Sequence, residues 1–241
     1  MHQREQKRRI SLPKSFAVVI GLLAATACGS EWTATPLPEP PALDGSRIRR
    51  PDITTAFAGS VWVAGDARSA SVGATLRVTN LDSTDDPVTT TVASDGSFEI
   101  QVVAEEGDEI RIDAVNRHGR SEPIDLIVDD ELTPSPRHDC VRLVPEFSVE
   151  FREGSRAEEL TIHNLCDLDV ALADPRARLG LEEFTLESEL PLTIPAGESA
   201  ALEFGFAAGS PGESEDVFFI DIEVDGELIR YPVTLYAPEE R

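Results

Sequence analysis

Three cysteines and four histidines are the side chains of this sequence best suited to metal binding or covalent chemistry. Cys140 and Cys166 each have a histidine close by, in His138-Asp139-Cys140 and in His163-Asn164-Leu165-Cys166. Two thiolates and two imidazoles would suit tetrahedral zinc. These spacings differ from those of common zinc knuckles, however, and His163 falls on the outward face of its alternating run. The other reading is a disulfide between Cys140 and Cys166, which would close a loop of 27 residues at one end of a β-sandwich. On a chain-entropy argument such a bridge contributes about 3–4 kcal/mol. The disulfide is our expectation, with no metal and no cofactor.

The chain offers little to an enzyme. A serine hydrolase calls for a Gly-x-Ser-x-Gly elbow, and the nearest Gly/Ser stretch, AAGSPGES at 207–214, lacks it. His118 sits in Asn116-Arg117-His118-Gly119, a turn between strands. Acid pairs such as Glu105/Glu106 and Glu182/Glu183 follow from an acid-rich composition, and no stretch marks the facing carboxylates of a glycosidase. Asp82, Asp85 and Asp86 gather in NLDSTDDP, where oxygen ligands could hold calcium; the spacing is not that of an EF-hand, and a solvated acidic turn explains it equally well. We therefore expect no catalytic residues, and hold a carbohydrate- or calcium-dependent adhesion module as the alternative function. Sugar binding has few aromatic candidates, since most of the ten Phe take inward strand positions.

The third cysteine has different surroundings. Residues 1–14 carry Arg4, Lys7, Arg8, Arg9 and Lys14 against Glu5 alone, and an apolar run follows from Phe16 to Ala27. That run makes about 18 Å of helix, against a bilayer core of about 30 Å. A basic head, a short apolar middle and the small residues Ala25-Thr26-Ala27 describe a secretory signal. Cys28 comes next, followed by Gly29-Ser30. This arrangement resembles the lipobox of bacterial lipoproteins, with Ala25 where that family usually has leucine. The resemblance implies cleavage of residues 1–27, acylation of Cys28 and, with Gly29 rather than Asp, sorting to an outer membrane. Membrane lipid, through the acylated Cys28, and a protein of the cell envelope are the partners it implies. Two or three acyl chains anchor a protein stably.

Of the 21 basic and 45 acidic residues of the chain, residues 1–27 hold 5 and 1, leaving 16 and 44 and a net charge of −28. All 16 of those cations are arginine. Such a charge repels phosphate backbones, which excludes nucleic acid as a partner. From 28 to 51 the chain reads as a tether, because five prolines after Gly29 disfavour a packed helix or a central strand.

Beyond the tether, short alternating runs bounded by Gly, Pro, Asn and Asp give an all-β signature. Residues 52–129 contain GATLRVTN, then VTTTVASDGSFEIQVV, whose Asp95-Gly96 predicts a hairpin, then GDEIRIDAVNRHGRSEP. This run resembles bacterial immunoglobulin-like domains of the Big type, with a prealbumin-like sandwich as the nearest alternative. A Pro-stiffened linker spans 130–139. Residues 140–241 hold six further runs, including LTIHNLCDLDVAL and LPLTIPAGESAALEFGF, and resemble Hydin-type, major-sperm-protein-like immunoglobulin domains. In EDVFFIDIEVDG, Phe218, Ile220, Ile222 and Val224 face the core while Phe219, Asp221 and Glu223 face outward. The reading is thus all-β: two tandem immunoglobulin-like sandwiches after a cleaved signal and a Pro-rich tether. The function this implies is a non-catalytic, lipid-anchored envelope protein presenting two modules for interaction or scaffolding.

Overall fold

Alternation along an extended strand sends successive side chains to opposite faces of a sheet, and both halves of the protein are assembled by that rule. The computed structural model describes residues 39–51, 59–152, 154–207 and 213–238. The leader and Cys28 lie outside the described residues.

The first half contains β1 (Ile48–Arg49), β2 (Ser60–Gly65), β3 (Thr75–Asn80), β4 (Val88–Thr91), β5 (Phe98–Val103), β6 (Glu109–Asn116), β7 (Gly119–Arg120), β8 (Ile124–Ile127) and β9 (Thr133–Pro134). One sheet has the order β1-β2-β5, the other β4-β3-β6-β8-β9, with β7 paired to β6. Val63 and Ile100 from the first layer pack against Leu76, Val78, Ile110 and Ile112 from the second.

Three features of this half differ from the sequence reading. Asp95-Gly96 does form a turn, closed by Ala93 N–H donating to Ser97 O at 2.8 Å. Its flanking strands do not pair, because β4 joins β3 and β5 joins β2. The turn is held instead by the β2–β3 crossing, with Arg68 N–H on Asp95 O at 2.9 Å and Ala70 N–H on Gly96 O at 3.1 Å. A Cβ at Gly96, where φ is +83°, would lie 2.9 Å from the backbone of Arg68, so this crossing requires glycine. The tether, second, is in part a component of the fold. Leu43 bridges Ala70, Asp44 N–H donates to Ser69 O at 2.8 Å, and Ile48 is buried. The prolines stand before Leu43 or after Arg49, so the segment between them is free to pair. Third, the sheet runs on past 129: β9 pairs with β8, and Ser135 N–H donates to Asp125 O at 3.0 Å, which makes the linker an edge of the first sandwich.

The second half contains β10 (Val141–Val144), β11 (Ser148–Glu150), β12 (Ala157–Asn164), β13 (Val170–Ala177), β14 (Phe184–Leu186), β15 (Leu192–Ile194), β16 (Ser199–Phe206), β17 (Ser214–Val224) and β18 (Glu227–Ala237). Its sheets have the orders β10-β12-β16-β14 and β11-β18-β17-β13-β15, with β11 parallel to β18. Leu160, Ile162, Leu202 and Phe204 meet Phe218, Ile220, Ile222 and Val233 between the layers. The rings of Phe204 and Phe218 meet edge to face at 5.2 Å.

Residues 38–241 gather into one unit because each half buries a second face against the other. On β6 the charged alternates Glu109, Arg111 and Asp113 are as inaccessible as the core alternates Ile110, Ile112 and Ala114. Phe219 points away from its own core, as its position in the strand dictates, yet it is buried, forming with Val217 and Leu81 a small apolar cluster between the halves. Replacing Phe204 by Ala removes a fully buried ring, and we expect a loss of about 3–5 kcal/mol in urea unfolding; a loss under 1 kcal/mol would contradict the packing described.

Candidate functional site

The candidate metal ligands divide between a disulfide and backbone ties. Cys140, in the turn just before β10, is bonded to Cys166 in the loop after β12, with Cα atoms 4.8 Å apart. Leu165 N–H donates to Cys140 O at 2.8 Å. Asn164 organises that loop: its amide donates to Leu168 O at 2.8 Å and Ile194 O at 2.9 Å, and its Oδ1 accepts from Cys166 N–H at 2.9 Å. With both sulfurs in the bridge, the alternative of two thiolates and two imidazoles on zinc has no thiolate to use. His138 is buried, with Nε2 at 3.1 Å from Ile222 O and its backbone N–H donating to the Tyr231 hydroxyl at 2.6 Å. His163 Nδ1 is hydrogen-bonded to Ser199 Oγ at 2.7 Å, and exposed His118 accepts from Arg117 Nε. Among the described residues no group of three or more His, Cys, Asp or Glu is arranged to hold a metal ion.

The loop that suggested calcium holds guanidinium groups instead. Asp82 takes two hydrogen bonds from Arg230, at 2.7 and 3.1 Å, and a third from Glu109 N–H at 2.7 Å. Arg178 donates to Asn80 O at 3.0 Å and to Asp85 O. Both arginines belong to the second sandwich, so this loop of the first is a docking element.

The principal constellation of charged side chains is therefore the seam between β3, β6, β7 and β8 on one side and β17 and β18 on the other. Glu215 of β17 accepts from Arg77 at 2.8 and 3.1 Å and from Arg120 at 2.7 Å. Arg77 also binds Asp113 through Nε and Nη2, both at 3.1 Å. Arg111, fully enclosed, forks onto Asp125 at 2.7 and 2.9 Å and reaches across to Thr234 Oγ1 at 2.6 Å and Pro232 O at 2.7 Å. Arg230 returns the exchange, pairing with Glu109 at 2.8 Å as well as with Asp82. Aromatic faces complete the seam: Arg230 lies 4.9 Å from the centre of Phe219, Arg120 5.3 Å from that of Tyr236, and Arg137 4.7 Å from that of Tyr231.

Two carboxylates in the seam respond to burial in opposite ways. Burial opposes the charge on Glu215, but hydrogen bonds from Arg77 and Arg120 outweigh it and hold the carboxyl at about 2. Burial dominates at Asp113 and raises it, with Arg77 and Arg120 offsetting this only in part and the Glu215 charge adding to it. Asp113 Oδ2 has no hydrogen bond, although Arg120 Nε approaches to 3.4 Å. A crevice of about 210 Å³ opens along the seam between Arg111, Arg120, Phe147 and Thr234.

Sequence reasoning missed the seam residues. Glu109, Arg111 and Asp113 alternate with Ile110 and Ile112, the pattern of a solvated face, and are buried only because another sandwich covers them. The available signal was on the partner strand, where Val217 and Phe219 are apolar at outward positions.

No protein-family model matches this chain, and no curated protein matches it significantly. Solved structures with a similar course include PapD-like domain 7 of human CEP192, at 14% identity over 47% of this chain and 92% of that one, TM-score 0.34. The C. elegans MSP family member WR4 matches at 17% identity over 42% of this chain and 99% of its own, TM-score 0.34. The E. coli chaperone DraB matches at 14% identity over 41% of this chain, TM-score 0.33, and the chain spans about half of DraB's length, 54%.

Two outcomes follow. Replacing Glu215 by Ala removes the hydrogen bonds it accepts from Arg77 and Arg120 and leaves Asp113 as their carboxylate partner, and we expect a loss of about 2–4 kcal/mol in denaturant unfolding at pH 7. Because folding lowers the Glu215 pKa, its contribution is complete above the ordinary carboxylate range near 4.5 and is lost as the pH falls through about 2. Asp113, raised, contributes with the opposite sign over the acidic range. Equal unfolding midpoints for wild type and E215A at pH 7 would remove the seam from the account. Titration of the unreduced protein should find Cys140 and Cys166 without a free thiol, and reduction should cost about 3–4 kcal/mol.

Proposed function

We propose that this chain is a non-catalytic lipoprotein of the cell envelope, anchored through acylated Cys28 and presenting two immunoglobulin-like modules as a single arm for protein interaction or scaffolding. The observation that carries the reading of the folded part is the seam. Guanidinium–carboxylate forks join two sandwiches face to face, so that Asp82, weighed as a calcium ligand, and the buried Glu109 and Asp113 serve as structural partners of arginine. What an arm of this kind offers to others is strand edges and end loops, where backbone groups and variable side chains are accessible.

The anchor rests on sequence: a basic head, an apolar run too short to span, and a cysteine directly after small residues. Gly29 in place of Asp supports delivery to an outer membrane. Intact-mass measurement of the exported protein should give a chain starting at Cys28 with added acyl mass, and Cys28→Ala should move it from the membrane to the soluble fraction. A mature N-terminus at another residue, or an unmodified mass, would overturn the anchor.

A further inference from the structure

Most strands that end a sheet in this protein are closed to further pairing by charge, proline or shortness, the ordinary devices against edge association. β1 carries Arg49, β5 Glu99, β9 Pro134, β10 Arg142 and β11 Glu150. β14 and β15 have three residues each, the first beside Glu183 and Glu187, the second between Pro191 and Pro195. β4 is different. It ends the six-stranded sheet, is four residues long and reads Val-Thr-Thr-Thr, with a single proline, Pro87, just before it.

Register shows which backbone groups this edge presents. Val92 N–H donates to Ala74 O at 2.9 Å, so Thr90 and Val88, in step with Val92, bond toward β3. Thr89 and Thr91 therefore direct N–H and C=O away from it. Both are exposed, and among the described residues no strand pairs with this side. The edge is neutral along its length and acidic at both ends, with Asp85 and Asp86 before it and Asp95 after it. Asp95 accepts from Ser97 at 2.6 and 3.0 Å; at the other end Arg178 donates to the backbone oxygen of Asp85 and interacts electrostatically with the Asp85 and Asp86 carboxylates, which leaves two carboxylates to one guanidinium there. A second copy of this chain would bring its own aspartates and net negative charge to the same edge. The complementary occupant is cationic at its ends.

We propose that β4 is a docking edge for an extended segment of a partner protein, uncharged and β-branched at its centre and carrying Lys or Arg at both ends. Main-chain hydrogen bonds to Thr89 and Thr91 supply the pairing, and the aspartates select the flanks. The inference rests on the reading of the sandwiches as interaction modules and is independent of the anchor at Cys28.

The test is fluorescence anisotropy of a labelled acetyl-Lys-Thr-Val-Thr-Val-Lys-amide peptide titrated with the mature protein. Saturable binding is expected, weakening as salt is raised, and absent for the same peptide with Glu in place of Lys. Thr89→Pro deletes an outward N–H without touching the bonds to β3, and should weaken binding by at least about tenfold with the melting temperature little changed. Should that variant fold poorly, Asp85→Asn with Asp86→Asn decides: binding should weaken and lose part of its salt dependence. No binding of the lysine peptide, or equal binding by the folded variants, overturns the proposal. Self-association in sedimentation that Thr89→Pro abolishes would also overturn it, by making a second copy the occupant. Each of these results leaves the mass and fractionation tests of Cys28 unaffected.

Discussion

A buried charge is tolerated only when another charge and a full set of hydrogen bonds accompany it, and the arrangement of this protein depends on that condition being met between its two halves. Arg111 and Asp125 are almost completely enclosed, at 4% and 3% side-chain exposure. Either charge without its partner would be costly to hold there. Arg111 is satisfied by Asp125 from its own sandwich and by Thr234 and Pro232 from the other, so the two halves must meet in one relative position for the guanidinium to be fully bonded. An apolar face of the same size would accept many positions, because hydrophobic contact is not directional. The apolar part of this seam is small, comprising Leu81, Val217 and Phe219, and orientation is set by the forks around it.

Arginine suits this role in a way that lysine does not. Its planar fork holds two acceptors at once and stacks on aromatic faces, whereas an ammonium is a compact, strongly hydrated point charge. Arg77 bridges Asp113 to Glu215, Arg230 divides between Asp82 and Glu109, and Arg120 combines Glu215 with the Tyr236 ring. From residue 28 onward every basic side chain is arginine, which is consistent with such use. The shared acceptors also couple the groups. Glu215 is held ionised by two donors, while burial raises the pKa of Asp113 behind them.

The all-β architecture and both cores were legible because period-two alternation reports burial on one face: Leu76 and Val78, Ile110 and Ile112, Phe218 and Ile220 each point inward as their spacing requires. Pairing was less legible. Asp95-Gly96 carries a turn signal, but a turn fixes only the reversal of the chain, and the bonds from Arg68 and Ala70 decided that β4 and β5 would enter different sheets. The packing of Leu43 and Ile48 was obscured by prolines on either side. The seam was least legible of all, since alternation cannot distinguish charged residues facing water from charged residues facing a partner sheet. That information lies in the combination of Glu109, Arg111 and Asp113 with strands distant in sequence, which local pattern does not contain.

The seam also alters the surface that remains. Six of the sixteen arginines after residue 27, at 77, 111, 120, 137, 178 and 230, are engaged between or beside the sandwiches. They take a comparable number of acids with them, but the ratio left outside becomes more lopsided than composition implies, because arginine is the scarcer partner. The outer surface therefore carries an excess of carboxylates over arginines, and like charge of that kind opposes association between copies. Against such a background a neutral edge is unusual. It is where another chain can make main-chain hydrogen bonds without first placing its own charge beside a carboxylate, while the aspartates at its ends still attract a cationic segment from a distance.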